Sequence, residues 1–119
     1  MPVSLTELKK AVKSLQDALA MPLSDIVRDA TIQRFEFCIE LSWKSAKKVM
    51  GTTTSAPKQV IREMGQNGFV DDVVLWLNAI DHRNLSVHTY NEELANQVYQ
   101  FAKSFANEFD KLISQLEQS

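Results

Sequence analysis

The C-terminal stretch Leu94–Leu116, LANQVYQFAKSFANEFDKLISQL, decides the fold. Its apolar residues Leu94, Val98, Phe101, Phe105, Phe109, Leu112 and Leu116 recur every three or four positions. That rhythm gathers them on one face of an α-helix, which turns once in about 3.6 residues. A half-buried strand would alternate every second residue, and no part of the chain keeps that pattern for long. The stretch therefore predicts one long amphipathic helix, starting near Thr89–Asn91, that needs other helices to cover its stripe.

Upstream the same spacing returns. Leu5, Leu8, Val12, Leu15 and Leu19 form a stripe behind SLTE, a capping-box pattern in which Ser4 and Glu7 satisfy each other's backbone, and Pro22 ends this helix. Ser24 suits the cap of a second helix carrying Ile32, Phe35, Ile39, Ser42, Ala46 and Val49, with Gly51 as its C-terminal stop. This helix runs about 25 residues or is two helices meeting at a kink. GTTTSAP reads as a linker from which Thr54 or Ser55 can cap a short third helix holding Val60, Ile61 and Met64, and GQNG ends it. A fourth helix is predicted over roughly Val70–Ile80 with Val70, Val73, Val74, Leu77 and Ile80 inward. The expected fold is all-α, an antiparallel four-helix up-and-down bundle with an additional short helix, in a single domain over residues 1–119.

Composition narrows the function classes. The net charge of -2 provides no global basic field, so a nucleic-acid contact must come from a local patch or an oligomer's cleft. The single cysteine, Cys38, disfavours both a disulfide framework and a zinc site. The N-terminal MPVSLTELKK has no apolar leader pattern, and no apolar run approaches membrane-spanning length, so a cytoplasmic protein away from the membrane is expected.

Two stretches carry chemistry. In Arg34–Lys44, RFEFCIELSWK, the residues Glu36, Glu40, Trp43 and Lys44 share a side of the second helix, with Lys47 beyond. A solvated charge ladder accounts for that side. A cleft or interface is the alternative, favoured by an exposed or half-exposed Trp43. Asp81–Tyr90, DHRNLSVHTY, holds both histidines. Arg83 and His88 are five apart, so in one continuous helix they would point about 140° from each other. Asn84 and Ser86 favour a break, and the Thr89–Glu92 capping box can restart the chain as the last helix, leaving Tyr90 solvent-accessible in its first turn.

These residue types suit RNA cleavage. The RNA 2′-hydroxyl is a nucleophile already present in the substrate. A histidine moves its proton, an arginine grips the phosphate, and an amide such as Asn84 orients either one, so no metal or other cofactor is required. Histidine and arginine also serve as ordinary capping and surface residues, and R-x4-H is short enough to arise by chance. For His82 a solvent-facing place near a helix C-terminus is expected.

RFEFCIELSWK and RNLSVHTYNEE together, with APKQVIREMGQNGFVDDVVLWLNAIDHRN between them, resemble the nucleotidyltransferase substrate-binding proteins of the HEPN superfamily. This group includes the HepT toxins of HEPN–MNT toxin–antitoxin modules. The resemblance covers roughly residues 5–115. It implies that Arg83, Asn84 and His88 are the catalytic set of a metal-independent endoribonuclease. It further implies that Tyr90 accepts AMP from a partner minimal nucleotidyltransferase. Glu36, Glu40, Trp43 and Lys44 match the family's second-helix motif, a possible cleft or binding face. Homodimers whose two motifs line a shared cleft, and a heterotetramer with the nucleotidyltransferase, are implied too. The other implied role is a non-catalytic substrate-binding or regulatory subunit of a two-component nucleotidyltransferase.

Overall fold

Helix α2, Asp25–Met50, is the spine of the molecule. Ser24 starts it by accepting the Val27 N–H at 3.1 Å, and Gly51 ends it at φ 67°, a left-handed conformation that glycine adopts without a Cβ penalty. The helix is unbroken, which decides between the single long helix and the kinked pair. Its 26 residues span roughly 39 Å at 1.5 Å each, close to the 41 Å long axis of the protein.

The computed structural model describes residues 3–119. Around α2 lie α1 (Thr6–Leu19), α3 (Pro57–Gln66), α4 (Val73–Leu85), α5 (Glu92–Phe105) and α6 (Asn107–Glu117), with one turn of 3-10 helix at Ser86–His88. The described residues contain no strand. Helix α1 folds back along α2. Helices α5 and α6 pack on α2, α4 packs on α5, and the short α3 wedges against α2 and α4. This is the expected four-helix bundle with an additional short helix, its fourth rod being α5 and α6 in succession.

The stripes meet in one core. Phe35 of α2 lies edge-on to Phe101, Phe105 and Phe109, at centroid distances of 6.0, 6.3 and 6.3 Å. Trp76 of α4 closes the cluster, 4.8 Å from Phe105 and 5.8 Å from Phe109. Each fully buried ring adds about 2 kcal/mol of burial, and the edge-to-face geometry adds to that.

Several local expectations shift. The first helix is not closed by a capping box. Leu5 occupies its N-cap position, and the Ser4 hydroxyl accepts only the Thr6 N–H, at 3.4 Å. Ala56 precedes α3, Pro57 supplies the first turn, and neither Thr54 nor Ser55 caps it. Helix α4 starts at Val73, where Asp72 accepts the Leu75 N–H at 2.9 Å, and it runs on to Leu85. Its buried side is Trp76, Ala79 and Ile80, with Val73 and Leu77 half-buried and Val74 exposed, so the helix is rotated on the core relative to the expected stripe. The last long helix is interrupted at Ala106, whose backbone stays helical at φ -51° and ψ -35°.

Candidate functional site

Arg83 and Asn84 lie in the last turn of α4, not in a loop. The break comes after Leu85, where one 3-10 turn carries Ser86, Val87 and His88. Ser86 is buried, and its hydroxyl donates to the Arg83 carbonyl at 2.5 Å. The Thr89 hydroxyl donates in turn to the Ser86 carbonyl at 3.1 Å. These two short-range bonds satisfy carbonyls left free at a helix end and set the turn. Asn91 then caps α5 by accepting the Leu94 N–H at 3.2 Å. Thr89 therefore closes the turn behind it instead of starting α5, and Tyr90 lies just before the cap, 86% exposed.

Two pairs form. The first crosses the bundle: an Arg83 terminal nitrogen, Nη2, donates to Glu40 Oε1 at 2.6 Å, and Lys44 Nζ lies 3.3 Å from the other Glu40 oxygen. The Arg83 and Glu40 side chains are 34% and 27% exposed, so solvent screens the pair and holds its worth to about 1 kcal/mol or less. Arg83 Nη1 is 3.5 Å from the Asn84 side-chain oxygen, a marginal bond, and Arg83 Nε is buried without a partner. The second pair is local: the Tyr90 hydroxyl lies 3.4 Å from His88 Nδ1, with the rings edge-on at 5.9 Å. Among the described residues no hydrogen bond joins Arg83 to His88. The 3-10 turn packs against α2, α4 and α5 together, which places the second pair at the junction that also holds Arg83.

The other sequence candidates divide. Glu36 lies half-buried one turn before Glu40 on α2. Trp43 is a core residue, 9% exposed, against the expectation of an exposed or half-exposed side chain. Beside Leu41, Lys44 and Lys48 it lines a groove of about 670 Å³ that includes none of Arg83, His88 and Tyr90. Trp43 follows Ser42, and the α2 turn that buries Ser42 and Ala46 also turns its ring inward. Asp81 is paired with Lys58 of α3 at 2.7 Å, which offsets its negative charge. His82 does not simply face solvent. Its ring stacks on Phe101 at 3.9 Å, and Nδ1 lies 2.8 Å from the Asn78 carbonyl oxygen.

Sequence reading missed Arg28. Its side chain reaches Asp29 at 3.1 Å, Glu92 at 3.5 Å and the Asn96 oxygen at 3.2 Å, and so ties α2 to the first turns of α5 just after Tyr90. Acidic residues at a helix start are a readable signal, but their partner 64 positions earlier is not.

Known proteins share this fold. A Haemophilus influenzae protein named "Probable ribonuclease HepT" is 32% identical over 104 residues, covering 81% of this chain and 71% of its own. A crystal structure from Thermus thermophilus matches with a TM-score of 0.85 at 32% identity, over 92% of this chain and 98% of that one. A further Haemophilus influenzae structure, described as revealing the fold of a substrate binding domain of a nucleotidyltransferase, matches with a TM-score of 0.84 at 30% identity, over 97% of this chain and all of that one. Residues 3–118 also match the family described as nucleotidyltransferase substrate binding protein like, and the chain belongs to that family.

Proposed function

We propose that this protein is a HEPN-type toxin, a metal-independent endoribonuclease silenced when a partner minimal nucleotidyltransferase attaches AMP to Tyr90. One observation carries the reading: an arginine anchored to α2 and an exposed histidine–tyrosine pair share one helix junction. Arg83 binds a phosphate oxygen of the RNA. His88 takes the 2′-hydroxyl proton, and the 2′-oxygen attacks the adjacent phosphorus. The bond to the 5′-oxygen breaks and that oxygen takes up a proton from water, the hydroxide left behind takes back the proton held by His88, and the products are a 2′,3′-cyclic phosphate and a free 5′-hydroxyl. The name of the Haemophilus relative supports the ribonuclease class. An AMP group on Tyr90 brings bulk and negative charge to within two residues of His88, and Arg83 is a cation at the same junction that can pair with it.

A homodimer belongs to this reading. Phe37, Val87 and Tyr90 are among the apolar or aromatic side chains that stand exposed, by 51%, 68% and 86%, and a second copy would cover such surface. A heterotetramer forms when two nucleotidyltransferase copies join. The alternative is a non-catalytic substrate-binding or regulatory subunit of a two-component nucleotidyltransferase. The description of the Haemophilus structure favours it, and it uses the same junction.

The deciding experiment incubates purified wild type and His88→Ala with total RNA in EDTA. The wild type is expected to degrade RNA with 2′,3′-cyclic ends, and the variant to lose at least about 10²-fold, the low end of what a general base contributes. Equal RNA survival with both proteins rejects the ribonuclease and leaves the binding subunit. Light scattering on the same samples tests the pair: the mass of a single 13.5 kDa chain at micromolar concentration rejects the shared cleft.

A further inference from the structure

We propose that Glu40 is the positioning residue for Arg83, an assignment that rests on the ribonuclease reading of Arg83 and His88. Glu40 is 43 positions before Arg83 and lies on a different helix, yet its carboxylate holds the Arg83 guanidinium at 2.6 Å. The Arg83 backbone is already held by the Ser86 hydroxyl. Its guanidinium is not, because the long stem has many rotamers and the alternative anchor, Asn84, is 3.5 Å away. With Nε buried and one Nη2 N–H on Glu40, the N–H groups left to meet a phosphate are the second one of Nη2 and those of Nη1, whose approach to Asn84 is marginal at 3.5 Å. A planar guanidinium pinned at one terminal nitrogen presents the other in a fixed direction.

Charge separates positioning from blocking. Glu40 is shared by two cations, Arg83 and Lys44, so the trio keeps a net charge of one positive unit. Lys44 is one turn further along α2 and engages the second carboxylate oxygen, so Glu40 is itself held at both ends. The carboxylate therefore aims the arginine while leaving the junction attractive to a phosphate. Position 40 thus links the two motifs by contact: the second-helix motif supplies the carboxylate that orders the arginine of the last.

The test is a double-mutant cycle on RNA cleavage. Glu40→Ala is expected to lower kcat about 10²-fold, the cost of a misplacement near 1 Å, with KM changed by less than about threefold, as for an interaction that matters in the transition state. Glu40→Gln keeps an acceptor and is expected to lose about tenfold. In the Arg83→Ala background Glu40→Ala should cost nothing more, because a positioning residue acts only through its partner. Equal losses in both backgrounds mean a structural role and overturn the proposal. A gain in kcat/KM for Glu40→Gln means that the carboxylate competes with phosphate, and overturns it as well. If the wild type cleaves no RNA, the ribonuclease reading fails by itself. Side-chain 15N NMR then decides the contact: Glu40→Gln and Glu40→Ala should speed guanidinium rotation at Arg83 and not at Arg28. Unchanged Arg83 signals in a folded variant overturn the assignment.

Discussion

His88 and Tyr90 are held by each other and by little else, whereas His82 is held by the core. His82 stacks on Phe101 and bonds to a backbone carbonyl, so its ring is committed to packing. His88 is exposed at the end of its 3-10 turn, and among the described residues its side-chain hydrogen bond is the 3.4 Å approach of Tyr90. A bond that long and exposed adds little, so Tyr90→Phe should change RNA cleavage by about 1 kcal/mol or less, up to roughly fivefold. The same variant should take no AMP. Mass spectrometry after incubation with the cognate nucleotidyltransferase and ATP checks this: wild type gains the mass of AMP, and Tyr90→Phe stays unmodified. Modification of both proteins alike rejects Tyr90 as the acceptor. Arg83, Asn84, His88 and Tyr90 were readable as a set because they lie within eight residues. The anchor of Arg83 was not, since nothing in local spacing says which of Glu36 and Glu40 an arginine on another helix will meet.

At the scale of elements, α3 and α4 show how close packing sets a helix's course. A Cβ placed on Gly65 would lie 2.2 Å from a Val73 methyl, far inside contact distance. Gly65→Ala gains about 1 kcal/mol of helix propensity, but Val73 is β-branched and stiff, so the overlap must be relieved by moving α3 or α4. A net loss of about 1–3 kcal/mol is expected from such overpacking. Thermal unfolding followed by circular dichroism should show a Tm lowered by several degrees, largely restored in the double variant Gly65→Ala with Val73→Ala. An unchanged Tm in the single variant shows that the helices part freely. The close approach at Val73 also shows why α4 was misphased from the sequence. Its start depends on the Asp72 cap and on α3 beside it, while the apolar letters from Val70 onward are dense enough to fit more than one register.

At the scale of the whole molecule, Cys38 reports on the closed core. It is fully buried on the inner face of α2, and that burial pushes its thiol from 9.0 up to about 12. The folded state then keeps a proton that the unfolded chain releases at lower pH. The Cys38 contribution is fully present below pH 9 and is lost as pH rises from 9 toward about 12. The slope is at most about 1.4 kcal/mol per pH unit. Urea unfolding at a series of pH values should show that decline in the wild type, and Cys38→Ala should lose this part of it. Identical pH dependence in both proteins rules out Cys38 as the cause. At neutral pH a thiol reagent should label Cys38 only after unfolding.

Helix identity, the buried stripes apart from that of α4, and the short polar cluster that carries the candidate chemistry were determined by the sequence alone. Each rests on residues at most a few turns apart, where the 3.6-residue period and the capping chemistry act directly. Tertiary structure decided the rest. It carried Arg83 into the end of α4 and turned Trp43 inward. It stacked His82 on Phe101, brought Arg28 to α5 and joined Glu40 to Arg83. These contacts depend on the rotation of one packed helix against another, which is settled by how the whole core fills and not by any one segment.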